Sequence, residues 1–308
     1  MTPPEDPEYR EDLLARDGTL LRRWDNGAQG VPVVVSNGLG ASPTAWPFLH
    51  GADCGYHATS WHHRGLGGSS RPDDETRIAV DDHVDDLLTV MDAAGMSRAL
   101  VVGWSVGVAI AIEAARRAPD RVAGLLVLGG AATGAFRVLP QLSPLPAQVP
   151  EGVHRRAAQV GGWLLRVVGP PTAGLINLLP RSLDAGREAL GRAGVDPAQL
   201  DPTGSAAPMI TLAEVAREFA RHDWTWFSRL VLAAAEHPTP DDLGSLRVPV
   251  TIVSGDLDTL APPADMTALA AVLPDARLVR LPGSHFLPLQ FPDALAGELA
   301  ALATRAQV

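Results

Sequence analysis

Lysine is absent from this sequence of 308 residues, so all 25 basic side chains are arginines, set against 35 acidic side chains. The formal net charge at neutral pH is -10. Domains that bind nucleic acids ordinarily present a basic surface, so this balance argues against a nucleic acid as a partner. We interpret the acidic surface as a feature that favours solubility.

Cysteine and long apolar runs are also scarce. Cys54 is the single cysteine, so the chain cannot form an internal disulfide. The longest apolar runs, such as residues 125–134, fall short of the roughly 20 residues that a helix needs to cross a bilayer. Residues 1–10 are acidic and rich in proline, unlike a secretory signal peptide. We therefore expect a soluble, cytoplasmic protein with no membrane partner.

The sequence is well supplied with apolar residues: 46% are hydrophobic and only 19% are charged, which is enough for a large core. Buried, β-branched runs alternate with stretches of helical periodicity. Alternation of this kind predicts an α/β fold with a mostly parallel central sheet flanked by helices. Strands are predicted at residues 31–36, 99–102, 125–128, 250–254 and 278–281, and helices at residues 78–94, 106–117 and 263–273. An Asp-Gly pair at residues 17–18 predicts a preceding hairpin.

Residues 135–241 interrupt this alternation. They contain many prolines, several amphipathic stretches and no clear buried strand. We predict that this segment is a mainly helical cap, inserted into a core that comprises residues 1–134 and 242–308.

Residues 103–107 read GWSVG, a G-x-S-x-G pattern centred on Ser105. The bare pattern is weak evidence, because a plain glycine-rich turn would also match it. Its position between a predicted strand and a predicted helix is typical of a nucleophile elbow, which projects a serine hydroxyl above the sheet. A serine hydroxyl is a poor nucleophile at neutral pH, so it needs a base, and the base needs an orienting carboxylate.

Candidates for the base and the acid follow the last two predicted strands. His285 lies in PGSHF at residues 282–286, whereas Asp256 and Asp258 lie in SGDLDTLAP at residues 254–262. Both segments are predicted loops at the carboxyl ends of strands, where open parallel sheets bind ligands. A single histidine is more often a surface or core residue, but the position after the last strand favours a catalytic role for His285.

The order of these blocks resembles that of the α/β-hydrolase fold superfamily. Two further blocks strengthen the resemblance: NGLG at residues 37–40 is similar to the family's oxyanion loop, and RGLGGS at residues 64–69 is similar to its R-G-x-G-x-S block. The resemblance implies a catalytic triad of Ser105, Asp258 and His285. It favours Asp258 over Asp256, because the family's acid stands three residues after the glycine that ends the strand.

The same resemblance implies an oxyanion hole made of the backbone amides of Leu39 and Val106. It also implies that the insertion caps a substrate pocket, for which we assign Gly38, Trp104 and Phe286 as lining residues. Chemistry of this kind needs neither a metal nor an organic cofactor.

Two positions depart from the family pattern. Asn37 stands where many relatives have histidine, and His62 or His63 stands where an aspartate commonly precedes the R-G-x-G-x-S block. A zinc site made of His57, His62 and His63 is the alternative reading of this histidine-rich segment. We do not favour it, because no cysteine or carboxylate lies nearby at the spacing of metal ligands.

Several aromatic residues lie in the predicted cap, and they have two interpretations of equal weight. They line an apolar pocket, or they fix the cap to the core. The residues in question are Trp163, Trp224, Trp226 and Phe227.

The leading functional hypothesis is hydrolysis of an ester, or a related acyl bond, of a small apolar substrate through an acyl-enzyme. A second hypothesis keeps the triad for other chemistry, namely carbon–carbon bond hydrolysis or perhydrolase, lyase or cyclase reactions. A third is a ligand-binding protein of this fold without turnover.

Overall fold

A computed structural model describes residues 11–130, 222–237 and 242–308 of the chain. Eight strands form one sheet: β1 (Glu11–Leu14), β2 (Leu20–Asp25), β3 (Val31–Ser36), β4 (Tyr56–Trp61), β5 (Ala99–Trp104), β6 (Val122–Leu128), β7 (Val250–Gly255) and β8 (Ala276–Leu281). The described helices are α1 (Val80–Ala93), α2 (Val106–Arg117), α3 (Trp224–Ala235), α4 (Pro263–Val272), α5 (Leu287–Gln290) and α6 (Pro292–Ala306).

The strand order is β1-β2-β4-β3-β5-β6-β7-β8. The β1–β2 and β2–β4 pairs are antiparallel, and every pair from β4 to β8 is parallel. This architecture confirms the predicted α/β fold with a mostly parallel sheet. The carboxyl ends of β3, β5, β6, β7 and β8 all lie along one edge, where their loops can meet.

Both faces of the sheet are buried under helices, which explains the continuous apolar strands. Successive residues of β3 point to opposite faces: Val34 belongs to the apolar cluster that includes residues of α1 and α2, whereas Val33 and Val35 belong to the cluster that includes residues of α6. On the second face, α6 contributes leucines spaced along one side of the helix, at Leu295, Leu299 and Leu302. Helices on both faces hold the strands rigidly, and so fix the loops that follow them.

All five predicted strands and all three predicted helices are present within a few residues of their expected bounds. β1 and β2 flank the predicted Asp-Gly turn at residues 17–18. The structure adds elements that the sequence analysis did not predict, chiefly β4, α5 and α6.

Most of the predicted cap, which we placed at residues 135–241, lies outside the described residues, so its helical character stays a prediction. Its described part contains α3, whose Trp226 is 1% exposed and packs with Leu66 of the core. In the part of the chain that the structure describes, no helix combines the length and the apolar character needed to span a bilayer.

Candidate active site

Ser105 occupies the turn between β5 and α2 in a strained backbone conformation. Its φ and ψ are 58° and -120°, values that a residue with a side chain adopts only at a cost of about 1–3 kcal/mol. The Ser105 amide donates to the carbonyl of Leu128 at 2.9 Å, which ties the turn to the end of β6. The strand, the strained serine and the helix together form the geometry of a nucleophile elbow.

Glycines allow the chain to pass this close to itself. A Cβ on Gly107 would lie 1.9 Å from the carbonyl oxygen of Ser36, and one on Gly103 would lie 2.7 Å from that of Gly107. On the other side of the elbow, a Cβ on Gly130 would lie 2.1 Å from the carbonyl oxygen of Ser105. Larger residues at these positions would displace the serine from the sheet edge.

His285 and Asp258 form a hydrogen-bonded pair. Nδ1 of His285 lies 3.0 Å from Oδ2 of Asp258, whose side chain is fully buried. The second carboxylate oxygen, Oδ1, accepts the amides of Leu260 and Ala261 at 2.8 Å each. Because the carboxylate accepts, Nδ1 carries the proton in the neutral ring, and Nε2 is left as the basic nitrogen.

Asp256 faces away from this pair. Its Oδ1 accepts from Nε of Arg280 at 2.8 Å, in an exposed ion pair. The two aspartates of one loop therefore have different surroundings: Asp258 contacts the imidazole, and Asp256 contacts an arginine at the surface.

Two contacts bring the histidine loop beside the serine. The indole Nε1 of Trp104, the residue before the serine, donates to the carbonyl of His285 at 2.9 Å. A Cβ on Gly129 would lie 3.2 Å from Nδ1 of His285. Among the described residues, the Ser105 hydroxyl and the His285 ring form no hydrogen bond, a contact that often tightens only when substrate binds.

The loop that follows β3 lies against the elbow. A Cβ on Gly38 would stand 3.5 Å from Cβ of Ser105. Within the described chain, the amides of Leu39 and Val106 donate no hydrogen bond. Buried Asn37 fixes the start of the loop, because Oδ1 accepts from Nε1 of Trp46 at 2.5 Å and Nδ2 donates to the Ser60 hydroxyl at 3.0 Å.

The predicted pocket residues differ in exposure. Phe286 is 40% exposed, whereas Trp104 is only 3% exposed. The two rings meet edge to face with centroids 6.2 Å apart, and the Trp104 ring also contacts Trp46. Trp104 is therefore a buried support for the histidine loop, whereas much of the Phe286 side chain is exposed to solvent.

The R-G-x-G-x-S block is built around a buried arginine. Arg64 binds both carboxylate oxygens of Asp86, at 2.8 and 2.7 Å, and Oδ2 of Asp17 at 2.5 Å. Gly65 and Gly67 of this block make room for large neighbours. A Cβ on Gly65 would lie 2.1 Å from Nε1 of Trp226, and a Cβ on Gly67 would lie 2.1 Å from Nδ1 of His62.

The histidines of this segment separate into different environments. His57 lies near Asp25, with Nε2 at 3.3 Å from Oδ2. Burial lowers the pKa of His62 to about 3, and burial with the neighbouring histidines lowers the pKa of His63. Across residues 11–130, 222–237 and 242–308, no three His, Cys, Asp or Glu side chains are arranged to hold a metal ion.

A family model described as the alpha/beta hydrolase fold matches residues 31–292. The chain belongs to the α/β-hydrolase fold family. The strand order and the elbow agree with this fold. The family and the relatives described below indicate an enzyme of the hydrolase type.

Relatives of this α/β-hydrolase span almost its full length. The rhodomycin D methylesterase DauP of Streptomyces sp. strain C5 is 28% identical, with 94% of this chain and 96% of that protein covered. The thermophilic esterase of Thermogutta terrifontis has a TM-score of 0.70 at 20% identity, covering 97% of this chain and 99% of that one. The enol-lactonase of Burkholderia xenovorans LB400 has a TM-score of 0.68 at 21% identity, covering 94% and 98%. At these identities the two structures show the fold alone.

Two residues at the site of this α/β-hydrolase escaped the sequence analysis. Gly129 lies against the Asp258–His285 pair, and its signal was the glycine pair that follows β6. His222 reaches the loop after β3, with Nε2 2.8 Å from the carbonyl oxygen of Gly40. No local pattern marks His222, because its partner is 182 positions away in the sequence.

Proposed function

We propose that this protein is a serine hydrolase that cleaves a carboxylic ester, or a related acyl bond, of a small apolar substrate. Ser105 attacks the acyl carbonyl, and His285 takes the proton through Nε2 and returns it to the leaving group. Asp258 keeps Nδ1 protonated and the ring oriented. Water then releases the acyl group by the same steps, and no cofactor is needed.

The observation that carries this proposal is the Asp258–His285 pair beside the elbow. Asp258 is buried, yet three hydrogen bonds surround its carboxylate: one from the imidazole and two from backbone amides. These hydrogen bonds hold the carboxylate where it can orient the imidazole and stabilise the imidazolium that forms during catalysis. An imidazole that served only packing would need no such support.

The amides of Leu39 and Val106 are proposed to bind the developing oxyanion. The loop after β3 and the start of α2 meet at Ser105, where a Cβ on Gly38 would stand 3.5 Å from Cβ of the serine. Each such donor typically lowers the barrier by roughly 2.7–4 kcal/mol. The exposed Phe286 supports an apolar substrate, and the name of one relative, a methylesterase, agrees with acyl chemistry.

A fluorophosphonate probe combined with p-nitrophenyl esters of rising chain length tests the proposal. We expect covalent labelling at Ser105, located by mass spectrometry, together with steady ester turnover. Labelling without turnover of any ester would favour triad-dependent chemistry on other bonds, such as carbon–carbon hydrolysis. Absence of labelling on folded protein would contradict a serine mechanism and favour ligand binding without turnover.

A further inference from the structure

His222 links the start of α3 to the loop after β3. It directly precedes Asp223, whose carboxylate caps α3 by accepting the amides of Thr225 and Trp226. Its Nε2 lies 2.8 Å from the carbonyl oxygen of Gly40. Since a carbonyl oxygen only accepts hydrogen bonds, Nε2 carries the proton and donates. The contact therefore joins a residue of the predicted cap to the oxyanion loop of the core.

The receiving loop is shaped for this contact. Gly40 has a φ of 75°, and a Cβ there would lie 2.7 Å from Nε2 of His222. A side chain at residue 40 would thus be strained and would also displace the imidazole. The amide of Ala41 donates to the carbonyl of Gly38 at 3.0 Å, which closes a tight turn around Leu39. His222 consequently holds the carbonyl of Gly40, the residue that follows Leu39, whose amide we assign to the oxyanion hole.

The imidazole of His222 is itself held in place. Its ring stacks on that of Phe227, with centroids 6.2 Å apart and planes 21° from parallel. Burial lowers the pKa of His222, although the hydrogen bond with Gly40 opposes that effect. The ring is therefore neutral at neutral pH, and its one N–H is committed to Nε2.

α3 is anchored to the core independently of His222. Nε1 of Trp226 donates to the carbonyl of Arg64 at 2.8 Å. Arg71 and Arg229 each place a guanidinium 4.7 Å from the centroid of the Trp226 ring, and both also form ion pairs, Arg71 with Asp223 and Arg229 with Glu75. Because these contacts fix the start of α3, the hydrogen bond from His222 restricts the position of the Gly40 carbonyl.

We propose that His222 is a positioning residue, whose Nε2–H bond to the Gly40 carbonyl aims the Leu39 amide at the oxyanion that forms over Ser105. The inference rests on the proposed serine mechanism. Oxyanion donors act mainly in the transition state, so a misaligned Leu39 amide lowers kcat and leaves KM nearly unchanged.

The test compares three substitutions that separate the donor from the packing. His222→Phe keeps an aromatic ring against Phe227 but removes the donor. His222→Gln keeps an N–H at a similar reach, and His222→Met has nearly the same shape as glutamine without any donor. Arg229→Met is the control for general loosening of α3, because it removes the ion pair with Glu75 and leaves the Gly40 contact in place.

The measurements are kcat and KM with p-nitrophenyl butyrate, and the rate of phosphonylation of Ser105 by a fluorophosphonate. Loss of a whole oxyanion donor costs about 10²–10³-fold in kcat, so misalignment of one should cost about 10-fold or more. We expect that loss of kcat in His222→Phe and His222→Met, with KM within about 2-fold of the wild type and a parallel fall in the phosphonylation rate. His222→Gln should restore kcat almost completely. Arg229→Met should have wild-type kinetics.

Wild-type kcat in His222→Met, or a loss in His222→Gln equal to that in His222→Met, would overturn the positioning role. A loss confined to KM would do so too, because it would place His222 in substrate binding. If His222→Phe does not fold, the Gln and Met pair decides the matter. Failure of the wild-type protein to react at Ser105 would overturn the serine mechanism and this inference together, whereas normal reaction with kinetically silent variants would remove only the inference.

Discussion

Gly129 fits against Asp258 so closely that a Cβ at Gly129 would lie 3.0 Å from Oδ2 of the aspartate. The glycine has a φ of 51°, and the same Cβ would lie 3.2 Å from Nδ1 of His285. The end of β6 therefore borders the acid–histidine pair directly, and its lack of a side chain leaves room for their 3.0 Å hydrogen bond.

We expect Gly129→Ala to lower kcat by at least about 10-fold, because the new methyl group would push the imidazole and the carboxylate apart, and misplacements of this size can cost about 10²-fold. Gly95→Ala is the matched control. Gly95 has a φ of 69°, but a Cβ there would meet nothing within 4 Å. Both variants place an alanine at a positive φ, so both carry the same kind of backbone strain, but only Gly129→Ala adds a methyl group beside the Asp258–His285 pair. Thermal unfolding measures the strain, and steady-state kinetics measures the effect of the added contact. Equal kcat values in the two variants would show that the contact is unimportant.

Ser105→Ala should remove ester turnover, by at least about 10⁴-fold in kcat, and leave the fold intact. The side chain is partly exposed at the sheet edge, and alanine meets the same backbone strain as serine, so stability should change little. The measurement is p-nitrophenyl ester hydrolysis, with circular dichroism and the urea midpoint as checks of folding. Substantial residual turnover in a folded variant would exclude Ser105 as the nucleophile.

Asp258→Asn should lower kcat by about 10⁴-fold, because an amide can neither fix the Nδ1–H tautomer nor stabilise the imidazolium. Asp256→Asn is the control from the same loop. It loses only the exposed ion pair with Arg280, which changes stability by at most about 1 kcal/mol, and kcat should stay near that of the wild type. The reverse order of the two kcat values would move the acid assignment to Asp256.

Acid should destabilise the protein through the buried histidines. Burial holds the pKa of His62 at about 3, whereas a histidine in the unfolded chain titrates near 6.5. Between these values the unfolded chain binds more protons than the folded one, so stability falls as the pH drops below about 6.5. The slope approaches roughly 1.4 kcal/mol per pH unit for each such histidine.

Urea unfolding at pH 7, 6 and 5 measures this effect, and His62→Gln should flatten the pH dependence. Asp17 does not interfere in this range. Its burial is outweighed by hydrogen bonds from Thr19 and Arg64, which lower its pKa to about 2. A His62→Gln variant with the same pH dependence as the wild type would assign the acid sensitivity to other groups.

Strands β3, β5, β6 and β7 were predictable because each is largely buried and therefore reads as a mainly apolar run. β4 was not, because its sequence, YHATSW, is half polar. Its polar side chains form hydrogen bonds with the backbone of the neighbouring strands. The Thr59 hydroxyl donates to the carbonyl of Trp24 at 2.8 Å, and the Ser60 hydroxyl donates to the carbonyl of Val35 at 2.9 Å. Hydropathy does not reveal a strand stabilised in this way.

The missed helix α6 had a readable signal. Leu295, Leu299 and Leu302 recur at helical spacing after Pro292, which is a favourable first residue of a helix. At the site, the motifs located Ser105 and the two loops that carry Asp258 and His285. The contacts of Gly129 and His222 depend on how distant segments pack, and no periodicity or spacing encodes that.

The contact between Trp226 and Gly65 determines where a chimaera of this enzyme should be joined. α3 reaches the core through an indole that fills the space above a glycine of the R-G-x-G-x-S block, flanked by two arginines. A chimaera that replaces the predicted cap should therefore keep residues 222–237 from this chain and place its upstream junction before His222. A chimaera joined in this way would keep the contact between His222 and Gly40, so libraries built on such a junction would vary the predicted cap while this contact is preserved.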